Sequence, residues 1–408
     1  MPQPQEVYLE ARVLAHLGLG ADPGPAPATP SGGIRRLMAQ LAPDKRGMGP
    51  SPLLALDTSP TADPAVRRAA VDRRLDKMDA HEVAADFLER RRTGDPWWER
   101  GRPFPLTADT RAWLLRCGGP VAPVDGLLRR WSEAGPDEDV TTPEFRTTLR
   151  EGRHGPAVAL PSVDTLLRTL VGRLRQAGLL PPEHRVTLVR KVWTSAVAVP
   201  VRVPGRSVLV LSSTPAVPAL AHLLHELAHV SEHALRAPEL ALEVRWCFDP
   251  VRSEGWALLL ESLATDPLWL ASLDLSHPFT EAVRVTATYT ELLDRQMFRA
   301  AAALDDELPP DATSADALTL THDLIARLGI ARVPQALLQD ASDGLQVRAY
   351  LAGFAWRDEA LSCLTGRWGS RWWAEPAAWA AVRDVLRGDG DARSAVAALA
   401  SDAAASAA

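Results

Sequence analysis

Residues 222–233 read His-Leu-Leu-His-Glu-Leu-Ala-His-Val-Ser-Glu-His, in a frame that also holds Leu220, Leu223, Leu224, Leu227 and Val230. Apolar residues three and four apart predict a helix. His225 and His229 are four residues apart, a rotation of about 400° and a rise of about 6 Å. Both imidazoles therefore leave one face and can converge on a single ion. Glu226 is turned about 100° from His225. It can reach water held by that ion without itself being a ligand, which is the logic of the HExxH spacing.

Two imidazoles do not complete a zinc site. A third protein ligand is needed, with the fourth position left open. His222 and His233 share roughly the same face. His233 is eight residues from His225, about 12 Å along the axis, and Glu232 is seven residues away, about 10.5 Å, so neither shares an ion with His225. The third ligand is expected from another helix. Ser253-Glu254-Gly255-Trp256-Ala257-Leu258-Leu259-Leu260-Glu261 reads as a second apolar helix after a connection from Pro238 to Pro250. Glu254 is the first candidate, with Glu243 and Asp249 behind it. Glu261 returns to nearly the same face seven residues on. It reads either as a carboxylate orienting a ligand imidazole or as an ordinary ion-paired acid.

Upstream of the motif, three Val-rich runs stand out at Arg185–Trp193, Ala196–Val203 and Ser207–Leu211, with Pro204-Gly205 as a turn. They predict a small antiparallel sheet. Ser207–Leu211, directly before the motif, is a candidate edge strand for pairing with an extended peptide. Everything else reads as helix. A long pattern covers 63–93 (Ala65, Val66, Ala69, Ala70, Leu75, Met78), and shorter ones cover 107–117, 124–134 and 162–178, the last capped by Ser162 or Asp164. Residues 19–33 are a Pro/Gly/Ala-rich linker. Helix resumes near 216 and runs to the C-terminus, whose Ala/Ser-rich end beyond Asp391 is expected to fray. The chain thus reads as mainly α: a large helical assembly with a small antiparallel sheet ahead of the motif helix. We expect an N-terminal helical region (1–160), a core with the sheet and metal-binding helices (161–270), and a C-terminal helical region completing the cleft (271–408).

Composition narrows the class. The 408 residues carry 45 basic and 51 acidic side chains, a formal charge of −6. Such a balance argues against nucleic acid as a partner. No run of 18 or more uncharged apolar residues suggests a membrane span. The first residues, Met-Pro-Gln-Pro-Gln-Glu, do not resemble a signal peptide. Cys117, Cys247 and Cys363 lie far apart and read as reduced thiols, which together with the missing leader predicts a cytoplasmic protein. The Arg- and Ala-rich usage fits a GC-rich bacterium. Three other motifs are set aside. His81-Glu82 lacks a second His, since Ala85 stands in its place. Glu151-Gly-Arg-His154 sits in a Gly-rich loop, so no second helical ExxH supports a di-iron site. Arg90-Arg91-Arg92 reads as a solvated face. The 13 tryptophans, Trp97-Trp98 and Trp372-Trp373 among them, could line a cleft, but most are expected in the core.

HExxH followed by a Glu on the next helix resembles the gluzincin class of zinc metallopeptidases. Glu254-Gly255-Trp256-Ala257-Leu258 ending in Glu261 is similar to the EGWAL segment of bacterial proteins grouped as domain of unknown function 885. Met297-Phe298-Arg299-Ala300 and the Gln346–Gly353 stretch, with Ala349-Tyr350 and Gly353, resemble later segments of that family, in the expected order over 220–355. That family usually has a Gly and a second His soon after its first His-Glu, where this chain has Leu227-Ala228-His229. The resemblance implies a gluzincin-like hydrolase with one Zn2+ per chain, ligands His225, His229 and Glu254, and Glu226 as general base. Its substrate would be a peptide or a small amide. Tyr350, at the position of the family's Tyr, is the expected oxyanion donor, with His277 and His322 as alternatives. Tyr8 and Tyr289 are the other tyrosines. Arg348, two residues before Tyr350, points elsewhere on a helix and reads as a surface cation more than as a partner for a substrate carboxylate. Alternative readings are a zinc amidase acting on a small or modified-peptide metabolite and a non-catalytic protein that keeps the frame; the intact Glu226 speaks against the second.

Overall fold

A computed structural model describes residues 4–16, 19, 79–92, 161–191, 197–212, 219–246, 248–327, 334–341, 344–388 and 392–401. In chain order the elements are α1 (Pro4–His16), α2 (Ala80–Arg92), α3 (Val163–Gln176), β1 (Arg185–Lys191), β2 (Val197–Arg202), β3 (Arg206–Ser212), α4 (Ala219–Leu235) and α5 (Leu242–Trp246). Then follow α6 (Pro250–Glu261), α7 (Pro267–Ala271), α8 (His277–Glu307), α9 (Ser314–Arg327), α10 (Pro334–Ala341), α11 (Gly344–Trp368), α12 (Pro376–Arg387) and α13 (Ala392–Ser401). Among the described residues the fold is mainly α with one three-stranded sheet, as the apolar periodicities predict. The linker at 19–33 and the helices expected at 107–117 and 124–134 lie outside the described residues, except for Leu19. So do the first part of the 63–93 pattern, Trp97-Trp98, Glu151–His154, Cys117 and Cys247. Of the C-terminal Ala/Ser stretch expected to fray, Ala392–Ser401 is helical, with Ala395, Val396 and Leu399 buried against the core; 402–408 lie outside the described residues.

The sheet corrects two expectations. Its order is β1-β3-β2. β2 and β3 pair antiparallel, but β1 and β3 run parallel, with Arg185 opposite Arg206 and Lys191 opposite Ser212. The sheet is therefore mixed. Alternation of side chains fixes the strand period but says nothing about which neighbour a strand takes. β3 returns between the first two strands, so Ser207–Leu211 is central and bonded on both sides. The outer rim next to the motif helix belongs to β2.

The period of two also divides the sheet's faces. Leu209 and Leu211 join the main core with α3, α4, α6 and α11–α13. Val208 and Val210 face the other way, against Val13 of α1 and Leu242 and Trp246 of α5. A third cluster joins Phe87 and Leu88 of α2 to Ala300, Ala301 and Leu304 of α8 and Leu337 and Leu338 of α10. Arg91 departs from the solvated face expected for it. Its guanidinium donates to the Asp305 carboxylate and to the carbonyls of Asp305, Leu308 and Pro309, at the C-terminal end of α8. A cation there satisfies carbonyls that the helix leaves unpaired.

Two start signals place the helices around the motif. Ser162 caps α3, its hydroxyl accepting from the Thr165 N–H at 3.1 Å. Asp249 caps α6, accepting from Val251 and Arg252 at 2.9 and 3.1 Å ahead of Pro250 at the first helical position. Both follow the usual capping chemistry. Asp249 is thereby spent on the backbone, and the Glu243 side chain lies outside the described residues.

Candidate metal centre

α4 buries Leu220, Leu223, Leu224, Leu227, Ala228 and Val230, and this apolar face fixes which way its polar residues point. α6 crosses it closely. The Trp256 indole N–H donates to the Ala228 carbonyl at 2.8 Å and to the Ser231 hydroxyl at 3.1 Å. On the other side α11 packs against α6 at two glycines. A Cβ on Gly255 would sit 2.6 Å from the Trp356 ring, and one on Gly353 would sit 3.0 Å from the Gly255 nitrogen and 3.2 Å from the Glu254 Cβ. The Gly in Glu254-Gly255-Trp256 and the Gly three residues after Tyr350 are thus what let these helices meet.

This packing brings His225, His229 and Glu254 together, their ligand atoms all within 4.8 Å of one another. The two Nε2 atoms are 3.3 Å apart. Glu254 Oε2 is 3.4 Å from His225 Nε2 and 3.9 Å from His229 Nε2. Ligands at about 2.0–2.1 Å in a tetrahedron stand about 3.3–3.4 Å apart, so two of the three edges match a zinc ion and the third needs a small adjustment. Each ring is held from behind. His225 Nδ1–H donates to Glu261 Oε2 at 2.9 Å, and His229 Nδ1 meets Ser253 Oγ at 3.1 Å. Such partners fix the tautomer and leave Nε2 as the coordinating atom. The donor set, two imidazoles and a carboxylate, therefore fits zinc in type, number and spacing.

The electrostatics agree. Burial disfavours charge on His225, yet hydrogen bonds and charges from Glu254 and Glu261 outweigh it and hold the imidazole well above its ordinary value. The local field thus favours positive charge at this point. Glu226 is not among the converging ligand atoms. Its Oε2 accepts the backbone N–H of Ala198 in β2 at 2.5 Å. Tyr350 lies beside the group, its ring stacked on His225 (centroids 6.2 Å) and on Phe298 (4.8 Å). Burial, then the charges of Glu254, Glu226 and Glu261 and a hydrogen bond to Glu254, push its phenol well above the usual range, so it stays a donor.

Other sequence candidates fall elsewhere. His222, His277 and His322 are exposed. His233 is buried, its Nδ1 3.2 Å from Ser207 Oγ. Glu232 is fully buried and paired with Arg252 at 3.2 Å. Arg348 does not face the group; it bonds Asp305 and Asp306 of α8. His81 and Glu82 are exposed on α2, Trp372 is core, and Cys363 is a free thiol. Sequence reasoning missed Ser253 and the backbone of Ala198. The first stands directly before Glu254, a position that faces α4 once the helices cross. The second carries no side-chain signal at all.

No family model matches this chain, and no curated protein does. Solved structures are similar to it. A protein described as a lipoprotein of Colwellia psychrerythraea is 14% identical, at a TM-score of 0.45, over 83% of this chain and 58% of that one. This chain thus spans little more than half of that protein. A carboxypeptidase of Pyrococcus furiosus is 13% identical at a TM-score of 0.43, covering 91% of this chain and 83% of its own. A protein named BsuCP is 12% identical at 0.40, covering 97% and 93%. Likenesses this distant carry no residue roles across. No described helix is long and apolar enough to cross a membrane.

Proposed function

We propose that this chain is a zinc-dependent hydrolase of peptide or amide bonds, acting in the cytoplasm, with the 161–270 core holding the metal and the 271–408 region closing the cleft. One observation carries the reading: two ring nitrogens and a carboxylate oxygen converge at near-tetrahedral spacing, each ring already oriented from its far side. His225, His229 and Glu254 would hold one zinc ion, which would lower the pKa of water to about 7 and polarise a substrate carbonyl.

The remaining work falls to this chain's own groups. Glu226 has one carboxylate oxygen fixed by the Ala198 N–H. The other accepts the proton of the attacking water and passes it to the leaving nitrogen. Tyr350 donates its proton in a hydrogen bond to the oxyanion as the carbonyl carbon becomes tetrahedral. Glu261 and Ser253 keep the two imidazoles aimed.

The test is metal content alongside peptide hydrolysis. Glu226→Gln should keep about one zinc per chain and lose about 10²- to 10⁴-fold in rate. Glu254→Ala should lose the metal. Wild-type rates in Glu226→Gln would remove that residue from the chemistry, and full zinc content in Glu254→Ala would remove the third ligand.

A further inference from the structure

β2 is one of the two outer strands of the sheet, and its rim runs past Glu226. The register places Ala198 opposite Leu209, Val199 opposite Val208 and Pro200 opposite Ser207. Because the Ala198 N–H goes to Glu226, Ala198 belongs to the alternate set of residues whose backbone groups point away from β3. Pro200 is two residues on and falls in the same set, the one ladder position where a proline is tolerated. The outward rim is therefore unusual. Its N–H at Ala198 is committed to Glu226, and at Pro200 there is none to give. The carbonyls of Ala198 and Pro200 receive no hydrogen bond from a side chain or loop among the described residues. Beyond Pro200 the register shifts before Arg202, so the rim does not continue as a regular edge.

We infer that this rim recognises a substrate only through the substrate's own N–H groups, over a span of about one dipeptide, and that Pro200 thereby makes the site indifferent to peptide length beyond that span. The inference rests on the hydrolase reading above. A complete edge offers an incoming strand alternating donors and acceptors, so affinity grows with each added residue pair. Here two acceptors about 7 Å apart are all that remain. A longer peptide finds no further donor and gains nothing for its length. Committing the Ala198 N–H to Glu226 also ties the register of the bound chain to the position of the base.

The test uses zinc-loaded full-length protein and a ladder of oligoalanines from two to six residues. For wild type, kcat/KM should change less than about twofold from the tripeptide to the hexapeptide. Pro200→Ala restores one outward N–H, and its hexapeptide-to-tripeptide ratio should rise about fivefold, the effect of one added neutral hydrogen bond. The same ladder is bound by calorimetry to Glu226→Gln with and without Pro200→Ala, since Gln retains an acceptor for Ala198. A wild-type ratio of tenfold or more, or no response to Pro200→Ala, overturns the rim and leaves the hydrolase reading standing. No hydrolysis of any peptide, with binding that ignores length until Pro200 is replaced, overturns the hydrolase reading and leaves the rim. Absence of both binding and hydrolysis overturns the two together.

Discussion

The middle of α4 and its C-terminal end carry polar residues to different outcomes. In the middle, His225 and His229 turn their Nε2 atoms toward each other and toward Glu254. At the C-terminal end, Glu232, His233 and, just past the helix, Arg236 are as polar, yet each bonds other protein groups. Glu232 pairs with Arg252 at 3.2 Å and Arg236 at 3.7 Å, and both guanidiniums donate to the Gly388 carbonyl. His233 meets Ser207, which also meets His184 Nε2 at 3.0 Å. The imidazoles respond in opposite senses. His225 is raised by its carboxylates, whereas burial, then His229, His184 and Arg236, holds His233 well below its ordinary value. Residue type and helical face do not mark a site. What marks it is whether the coordinating atoms are left facing one another.

The largest expected effect attacks that contrast directly. His225→Ala should reduce zinc from about one per chain to a trace, whereas His233→Ala should keep the metal and lose about 1–3 kcal/mol of stability through the orphaned Ser207 network. Elemental analysis and urea unfolding read both. Equal metal loss in the two would erase the distinction between the two stretches of the helix.

A smaller effect concerns the groups behind the rings. Glu261→Gln and Ser253→Ala should each weaken zinc about 10- to 100-fold in chelator competition. Unchanged affinity would mean that the rings need no orienting partner.

The crossing that delivers Glu254 can be tested against an internal control on α11. Gly353→Ala should cost about 1–3 kcal/mol by overpacking. Gly366→Ala, where a Cβ meets nothing within 4 Å, should be neutral or mildly stabilising. Similar denaturation midpoints would dismiss the close-approach argument.

The smallest effect lies in the acid response of the buried network that joins His233 through Ser207 to His184. Burial lowers His184 from 6.5 to about 4, against the opposing charge of Glu183, so the folded state resists a proton that the unfolded chain accepts. Stability is then complete above about pH 6.5 and falls toward pH 4, by up to about 1.4 kcal/mol per pH unit from this group. His184→Gln should flatten the decline of melting temperature over that window; an identical slope would assign the acid loss to other groups.

How much of this was legible in the sequence depends on the range of the cause. The facing of the α4 histidines and the Glu254 helix were readable because helical geometry is local and residues four apart share one face. Ser162 was readable for the same reason, since a cap acts within three residues. The parallel pairing of β1 with β3 was not, because the choice of neighbour is made by packing of distant elements. Arg348 and Arg91 looked like surface or substrate-facing cations, yet each ends on Asp305, a residue far away in sequence. Ala198 could not be singled out, since its part is taken by a backbone amide that every non-proline residue carries.

The Trp256 indole, bonded at once to the Ala228 carbonyl and the Ser231 hydroxyl, has a consequence for how the ion comes and goes. It staples the two ligand-bearing helices together by contacts that owe nothing to the metal. Stripping zinc should therefore empty a mould that keeps its shape, and reloading should proceed without refolding. An ion of the wrong radius would meet a cup too stiff to remake itself.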